Sequence, residues 1–188
     1  MSEDTAKAVL SFAKDKIQDF KRLHITWTGG EPLMAMDTIG NMSTQFMDLC
    51  QSASADYYAS IITNGVLLDE ETSKALGQEC GVRDFQITVD GMPETHNRRR
   101  IMKDKSESFE TILRNIKGAL PYGAITLRMN IDKENAKESI DLIRHFYDVE
   151  GYRDHPGFML SIKNVKPTGQ YDDKCYNCHD FVPLYEEL

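Results

Sequence analysis

The chain has 188 residues, 40% of them hydrophobic, so it can form one domain with a sizeable core and need not be disordered. Its 30 acidic and 22 basic residues give a formal net charge of −8, which argues against nucleic acid or an anionic membrane surface as the main partner. No apolar run approaches the length of a membrane span, and the acidic N-terminus lacks the layout of a signal peptide, so we expect a cytoplasmic protein.

Helices and strands are predicted to alternate along the chain. Apolar stripes predict five helices, within residues 3–20, 39–53, 69–81, 109–120 and 135–151. Strand-like runs predict five strands, at residues 23–28, 59–63, 85–89, 125–131 and 158–165. Asp69 is expected to be an N-cap, and Asn135 with Glu138 resembles a capping box. Strict alternation of helix and strand indicates an α/β domain with a parallel sheet.

The predicted strands alternate between apolar and polar residues, unlike the strands of a flat sheet that helices cover on both faces. Phe85 and Ile87 share one face of their strand, whereas Thr88 and Asp90 share the other. Because helices cover only the apolar face, the polar face must meet water or a ligand. A barrel or partial barrel with a polar interior satisfies both demands. The alternative is a half-exposed sheet in a fragment.

The first candidate binding motif comprises Gly29, Gly30, Glu31 and Pro32, directly after a predicted strand. Two glycines let the backbone approach a ligand closely, and Glu31 supplies a carboxylate. The carboxyl ends of strands are also where α/β folds bind their ligands. An ordinary tight turn with an exposed glutamate is the alternative interpretation.

Two further motifs follow the next two predicted strands. Asn64 and Gly65 are typical of a turn. Thr88 and Asp90 lie on the polar face of their strand, and three consecutive arginines follow at 98–100. Because arginine binds carboxylates in a bidentate geometry, at least one of the three is expected to hold a ligand. A solvated basic patch is the alternative.

The cysteines leave several interpretations open. Cys175 and Cys178 precede His179, a spacing that suits half of a zinc or iron–sulfur site, a redox dithiol, or a c-type haem attachment site. A metal site would need further ligands, so an incidental pair remains the simplest interpretation. Cys50 and Cys80 lie on apolar helical faces and are expected to be core residues.

Together these motifs resemble those of the radical S-adenosylmethionine (SAM) superfamily, in particular its peptide- and protein-modifying branch, which includes the anaerobic sulfatase-maturating enzymes. The residues that carry the resemblance, in order and in spacing, are Gly29-Gly30-Glu31-Pro32, Ile62-Thr63-Asn64-Gly65 and Thr88-Val89-Asp90-Gly91 with His96-Asn97 and Arg100. The likeness extends over about residues 3–170. It implies a partial (β/α)6 barrel, here lacking its first strand and so built on about five parallel strands with outer helices.

The resemblance also implies which residues bind SAM. Gly29, Gly30 and Glu31 would hold the amino group of its methionine moiety, and Arg100 would hold its carboxylate. No catalytic residue is implied for this chain, and no metal ligand.

The nucleoside of SAM would be bound farther along the sheet. Thr88 would contact the ribose or the carboxylate, and Asn130 on the next strand would contact the nucleoside. Val165, just past the last predicted strand, would meet the adenine.

The sequence departs from the family at its iron–sulfur loop. The family holds a 4Fe–4S cluster through three cysteines spaced Cys-x3-Cys-x2-Cys after the first strand, yet no cysteine precedes Cys50 here. Cys175 and Cys178 cannot substitute, because they follow the last strand and supply two ligands. We therefore expect a piece of a longer protein, with a radical SAM core over residues 1–170 and a C-terminal extension over 171–188.

The resemblance implies that the full protein cleaves SAM reductively to a 5′-deoxyadenosyl radical, which abstracts hydrogen from a peptide or protein side chain. This piece alone is expected to be inactive. Two other functions compete: a cluster-less SAM- or nucleoside-binding module with a regulatory or partner-binding role, and an electron carrier using Cys175, Cys178 and His179. The absent first strand would leave a free sheet edge beside residues 23–28, through which the chain could self-associate.

Overall fold

One parallel β-sheet organises the chain. The computed structural model describes residues 1–166, 173–177 and 179–182. The strands are β1 (Arg22–Trp27), β2 (Asp56–Thr63), β3 (Val82–Thr88), β4 (Ala124–Ile131) and β5 (Phe158–Asn164). They are hydrogen-bonded in the order β1-β2-β3-β4-β5, and each pairing is parallel. The predicted α/β class with five parallel strands is confirmed.

Helices lie between the strands. They are α1 (Glu3–Lys16), α2 (Met36–Ser52), α3 (Glu70–Gln78), α4 (Pro93–Arg99), α5 (Phe109–Ala119) and α6 (Ala136–Arg144). The predicted set of helices was wrong in omitting α4, which lies between β3 and α5. Its seven residues are almost all polar, so no apolar stripe marks this helix in the sequence.

The two faces of the sheet differ in the way the alternation predicts. Phe85 and Ile87 on β3, with Ile125 and Leu127 on β4, are fully buried in the main core. The α5 helix covers this face with the apolar stripe that its sequence predicts. The opposite face of β3 and β4 carries polar side chains, which leaves that face free to line a site.

The first strand is an edge strand, since the described residues provide β1 with a hydrogen-bonded neighbour on one side only. The α1 helix beside it is incompletely covered. Ala13 and Ile17 are buried, whereas Val9 and Phe20 of the same predicted stripe are 40% and 61% exposed, and Phe12 is 65% exposed. An apolar surface therefore adjoins the free edge of the sheet.

The sequence predicts two helix caps, of which the structure confirms one and contradicts the other. Asp69 caps α3, because its Oδ1 accepts a hydrogen bond from the Thr72 backbone N–H at 2.8 Å. The capping box of Asn135 and Glu138 was wrong. The Asn135 side chain makes no cap hydrogen bond, and a Glu138 oxygen instead accepts from Thr95 Oγ1 at 2.8 Å. The Asn135 side chain does not cap α6 because it bonds the ends of two strands instead, as described below.

Cys50 and Cys80 are buried at 2% and 3% exposure, as predicted for core residues. Cys175 is also buried, at 4%, whereas Cys178 lies outside the described residues. Asn164 Nδ2 donates to the Tyr176 carbonyl at 2.9 Å, so the segment around Cys175 packs against the end of β5. Among the helices that the structure describes, none combines the length and the apolar character that crossing a membrane would take.

Candidate functional site

Two cavities open where the strands end. One of about 560 Å³ is lined by residues that include Gly30, Glu31, Asn64, His96 and Arg100. The other, of about 660 Å³, is lined by residues that include Asp90, Arg100, Asn130 and Val165. Arg100 lines both cavities, so it lies at their junction. The structure therefore gathers Gly30, Glu31, Arg100, Asn130 and Val165 at one end of the sheet.

The loop after β1 is held by the carboxylate of Glu31. Its Oε1 accepts hydrogen bonds from Thr63 Oγ1 at 2.7 Å and from the Leu33 N–H at 3.1 Å. Its Oε2 accepts from the Asn64 N–H at 2.9 Å. Since a carboxylate offers about four acceptor positions, three are used to join this loop to the end of β2. Glu31 keeps acceptor capacity on Oε2 for one further donor.

Gly29 and Gly30 leave the backbone of the same loop open. Gly29 has φ +155°, a conformation that favours glycine, and a Cβ at either position would have no heavy atom within 4 Å. Open space beside a glycine backbone is what a close ligand approach requires. Asn64 forms the predicted turn, as its Oδ1 accepts from the Val66 N–H at 2.9 Å.

Asp90 orients the arginine at the junction of the cavities. Arg100 Nε donates to Asp90 Oδ2 at 2.8 Å, while Asn130 Nδ2 donates to Asp90 Oδ1 at 3.1 Å. Asp90 is buried, whereas the Arg100 side chain is 38% exposed. The two terminal nitrogens of Arg100 make no hydrogen bond to the residues that the structure describes, so they remain available to a ligand.

His96 and Asn97 support the segment that carries Arg100. His96 Nδ1 accepts from the Asp90 N–H at 3.3 Å, and its Nε2 lies 3.1 Å from Ser108 Oγ. Asn97 Oδ1 accepts from the N–H groups of Ser108 and Phe109, both at 3.1 Å, and thereby caps α5 from outside that helix. These two residues of the motif therefore hold the backbone around the site through hydrogen bonds.

Burial makes His96 a neutral residue. Desolvation lowers the pKa of His96 to about 4, and the neighbouring Asp90 carboxylate opposes this shift only in part. Because Nδ1 accepts from a backbone N–H, the proton of the neutral ring is assigned to Nε2, which donates to Ser108.

A second ion pair, between Arg99 and Asp132, lies near the Arg100–Asp90 pair. Arg99 Nη2 donates to Asp132 Oδ1 at 2.7 Å, with both side chains largely buried. Burial would raise the pKa of Asp132, but hydrogen bonds from Arg99 and from backbone N–H groups lower it overall. Asn135 Nδ2 donates to the carbonyl oxygens of Asp90 at 2.7 Å and Asn130 at 2.9 Å. Asn135 thus joins the ends of β3 and β4.

The remaining predicted site residues lie nearby. Thr88 is 9% exposed at the end of β3, on the same strand face as Asp90 and one layer deeper. The Val165 N–H donates to the Ile131 carbonyl at 2.9 Å, which keeps Val165 beside the end of β4. Asn135 was predicted only as part of a capping box and not as a site residue, and no role was predicted for Arg128.

These features define an α/β partial barrel with two cavities at the carboxyl ends of its strands. Residues 2–146 match the Radical SAM superfamily, and the chain belongs to that superfamily. A cysteine-type anaerobic sulfatase-maturating enzyme of Clostridium novyi (strain NT) is 26% identical over 125 residues, covering 66% of this chain and 33% of the relative.

Solved structures agree with this fold. Native anSMEcpe with bound AdoMet and the Cp18Cys peptide is similar at a TM-score of 0.74 and 17% identity, covering 100% of this chain and 51% of that chain. Native anSMEcpe with bound AdoMet and the Kp18Cys peptide is similar at a TM-score of 0.73 and 19% identity, again covering 100% of this chain and 51% of that chain. The predicted partial radical SAM barrel is confirmed. The chain spans about half the length of these solved structures and about a third of the curated relative.

Proposed function

We propose that this chain is the SAM-binding core of a radical SAM enzyme, with Arg100 holding the SAM carboxylate. The observation that carries the proposal is the position of Arg100: Asp90 fixes its Nε, its terminal nitrogens bond to none of the described residues, and the residue lines both cavities. A guanidinium fixed at one side presents its remaining donors in a set direction, which suits a bidentate carboxylate contact.

The methionine amino group would lie at the loop after β1. Gly29 and Gly30 offer backbone that no Cβ shields, and Glu31 Oε2 retains an acceptor position. An ammonium group needs acceptors of this kind, so the donor and acceptor groups on the two sides of the 560 Å³ cavity fit the two charged ends of an amino acid.

The nucleoside would extend into the 660 Å³ cavity. Asn130 and Val165 line that cavity, and Thr88 lies one layer below its rim. Bound SAM is the source of a hydrogen-abstracting radical in this superfamily. The residues of this chain would orient the cofactor and keep water from it.

The 4Fe–4S cluster of the family does not fit this chain. No cysteine precedes Cys50, and the described residues contain no group of three His, Cys, Asp or Glu side chains that could hold a metal ion. We therefore propose that the chain alone binds SAM without cleaving it, with a core at residues 1–170 and an extension at 171–188. A peptide or protein substrate is proposed because the similar anSMEcpe structures contain bound peptides.

The purified chain tests this function directly. After anaerobic reconstitution with iron and sulfide, we expect SAM binding by isothermal titration calorimetry but no 5′-deoxyadenosine when dithionite and SAM are added. Cluster-stoichiometric iron with formation of 5′-deoxyadenosine would contradict the proposal, because a further ligand set would have to exist. The absence of any SAM binding would contradict it as well.

A further inference from the structure

The 660 Å³ cavity concentrates positive charge in an otherwise acidic chain. Its cationic lining residues are Arg99, Arg100, Arg128, Lys163, Lys166 and Lys174. Its acidic lining residues are Asp90, Asp132 and Glu134. The cations thus outnumber the acids by two to one, although the chain as a whole has a net charge of −8.

The three acids of the cavity are already paired. Asp90 binds Arg100 at 2.8 Å, Asp132 binds Arg99 at 2.7 Å and Glu134 binds Lys174 at 2.7 Å. Among the residues that the structure describes, no carboxylate forms an ion pair with the remaining three cations. These unpaired cations are Arg128, Lys163 and Lys166, which we term the cationic strip.

The cationic strip lies on β4, on β5 and just beyond β5, at the edge of the sheet opposite β1. Arg128 lies on the polar face of β4, two residues before Asn130 and therefore roughly 7 Å deeper along the strand than Asn130. Its Nε donates to Asn130 Oδ1 at 2.9 Å, which leaves its terminal nitrogens free among the described residues. Lys163 pairs in register with Asn130 on the edge strand β5, and Lys166 lies three residues farther along.

SAM cannot supply the missing negative charge. It carries a sulfonium and an ammonium group against a single carboxylate, so its binding adds positive charge to the site. Arg100 at the junction of the cavities is the proposed partner of that single carboxylate. Unpaired like charges that line one cavity repel one another, and an anionic ligand relieves this repulsion.

We propose that the cationic strip binds an acidic peptide, with Arg128 holding a carboxylate that flanks the residue presented to SAM. This assignment rests on the proposed function and names the substrate class. Arg128 pairs with Ser161 in the β4–β5 register, Lys163 lies two residues farther along β5, and Lys166 lies just beyond the end of that strand. The three cations are therefore spread along the cavity rather than gathered at one point. An extended peptide with two carboxylates can reach the length of the strip.

The test uses the 188-residue chain and two rhodamine-labelled heptapeptides. One peptide has a central cysteine flanked by glutamates, and its twin has glutamines instead. In low-salt buffer, fluorescence anisotropy should give about tenfold tighter binding of the acidic peptide, since a charge-assisted contact is lost in the twin. Arg128→Gln and Lys163→Gln should each remove most of this preference. Lys74→Gln, on the outer helix α3, is the matched control and should retain it.

Equal binding of the two peptides to the wild-type chain would overturn the inference, as would an unchanged preference in both strip variants. Lys163 is exposed, so its variant remains informative even if Arg128→Gln fails to fold. Inorganic phosphate that binds as tightly as the acidic peptide would overturn the peptide assignment. A parallel titration with SAM separates the two proposals: SAM binding without peptide preference overturns this inference alone, and peptide preference without SAM binding overturns the proposed function alone.

Discussion

Arg100, which lines both cavities at the strand ends, donates through Nε to Asp90 Oδ2 at 2.8 Å. Asp90 also accepts from Asn130, which in turn accepts from Arg128 Nε at 2.9 Å. A continuous set of hydrogen bonds therefore runs from Arg100 to Arg128. It couples the group proposed to hold SAM with the group proposed to hold a peptide carboxylate.

Asp90→Asn should weaken SAM binding by about tenfold, because an amide has one acceptor oxygen and cannot hold Arg100 and Asn130 as a carboxylate does. Calorimetric titration with SAM is the measurement, and circular dichroism verifies that the variant is folded. Asp48→Asn, at an exposed position of α2, is the control and should bind like the wild type. Unchanged SAM affinity in Asp90→Asn would show that Asp90 does not position Arg100.

Glu31→Gln should reduce the free energy of unfolding by about 1–3 kcal/mol. Three donors now bond the Glu31 carboxylate, and the glutamine amide would leave one of them without an acceptor. Urea unfolding followed by circular dichroism measures the change. Glu107→Gln, at an exposed position, should leave the stability nearly unchanged. A Glu31→Gln variant as stable as the wild type would rule out the role of this carboxylate in holding the loop.

His96 should make the stability depend on pH. Its pKa is about 4 in the folded chain and about 6.5 when unfolded, so the unfolded state binds more protons between these values. The contribution of neutral His96 to the free energy of unfolding is therefore complete above about pH 6.5 and is lost as the pH falls towards 4. The total loss amounts to about 3 kcal/mol.

Urea unfolding from pH 7.5 to pH 4 tests this prediction. The wild-type chain should lose more stability over the range than His96→Asn, which cannot titrate at this position. His179→Asn, at an exposed position, should follow the wild-type curve. Parallel curves for the wild type and His96→Asn would contradict the assignment, whatever their absolute stabilities.

The free edge of β1 should cause self-association. Unpaired backbone groups along an edge strand can pair with another chain, and the exposed Phe12 and Phe20 extend this surface. Analytical ultracentrifugation should find dimers or larger species that Phe12→Glu with Phe20→Glu converts to monomer. Met159→Glu, at the opposite edge strand, is the control and should not dissociate them. A monomeric wild-type chain would contradict the prediction.

The sequence predicts the sheet well because period-two alternation is a local signal. Phe85 and Ile87 could be assigned to the covered face from spacing alone, and the strand boundaries differ from the structure mainly at their first residues. The α4 helix escaped prediction because helical periodicity requires apolar residues, which its sequence lacks.

The partners of the site residues could not be predicted in the same way. Asn135 was assigned to a capping box on local spacing, yet its side chain bonds the Asp90 carbonyl 45 residues away. Glu31 is held by Thr63 and Asn64 across the gap between two strand ends. Such contacts depend on how the strands are paired, which local patterns in one chain do not specify.

The most direct test of the central claim compares two neighbouring arginines. Arg100 lines both cavities, whereas Arg98 on α4 is exposed and has no carboxylate of the described residues within 4.0 Å. Calorimetric titration with SAM should show that Arg100→Ala weakens SAM binding by about 10- to 100-fold, because one charge-assisted contact is lost. Arg98→Ala should bind SAM like the wild-type chain. Equal SAM affinity of Arg100→Ala and the wild type would contradict the account.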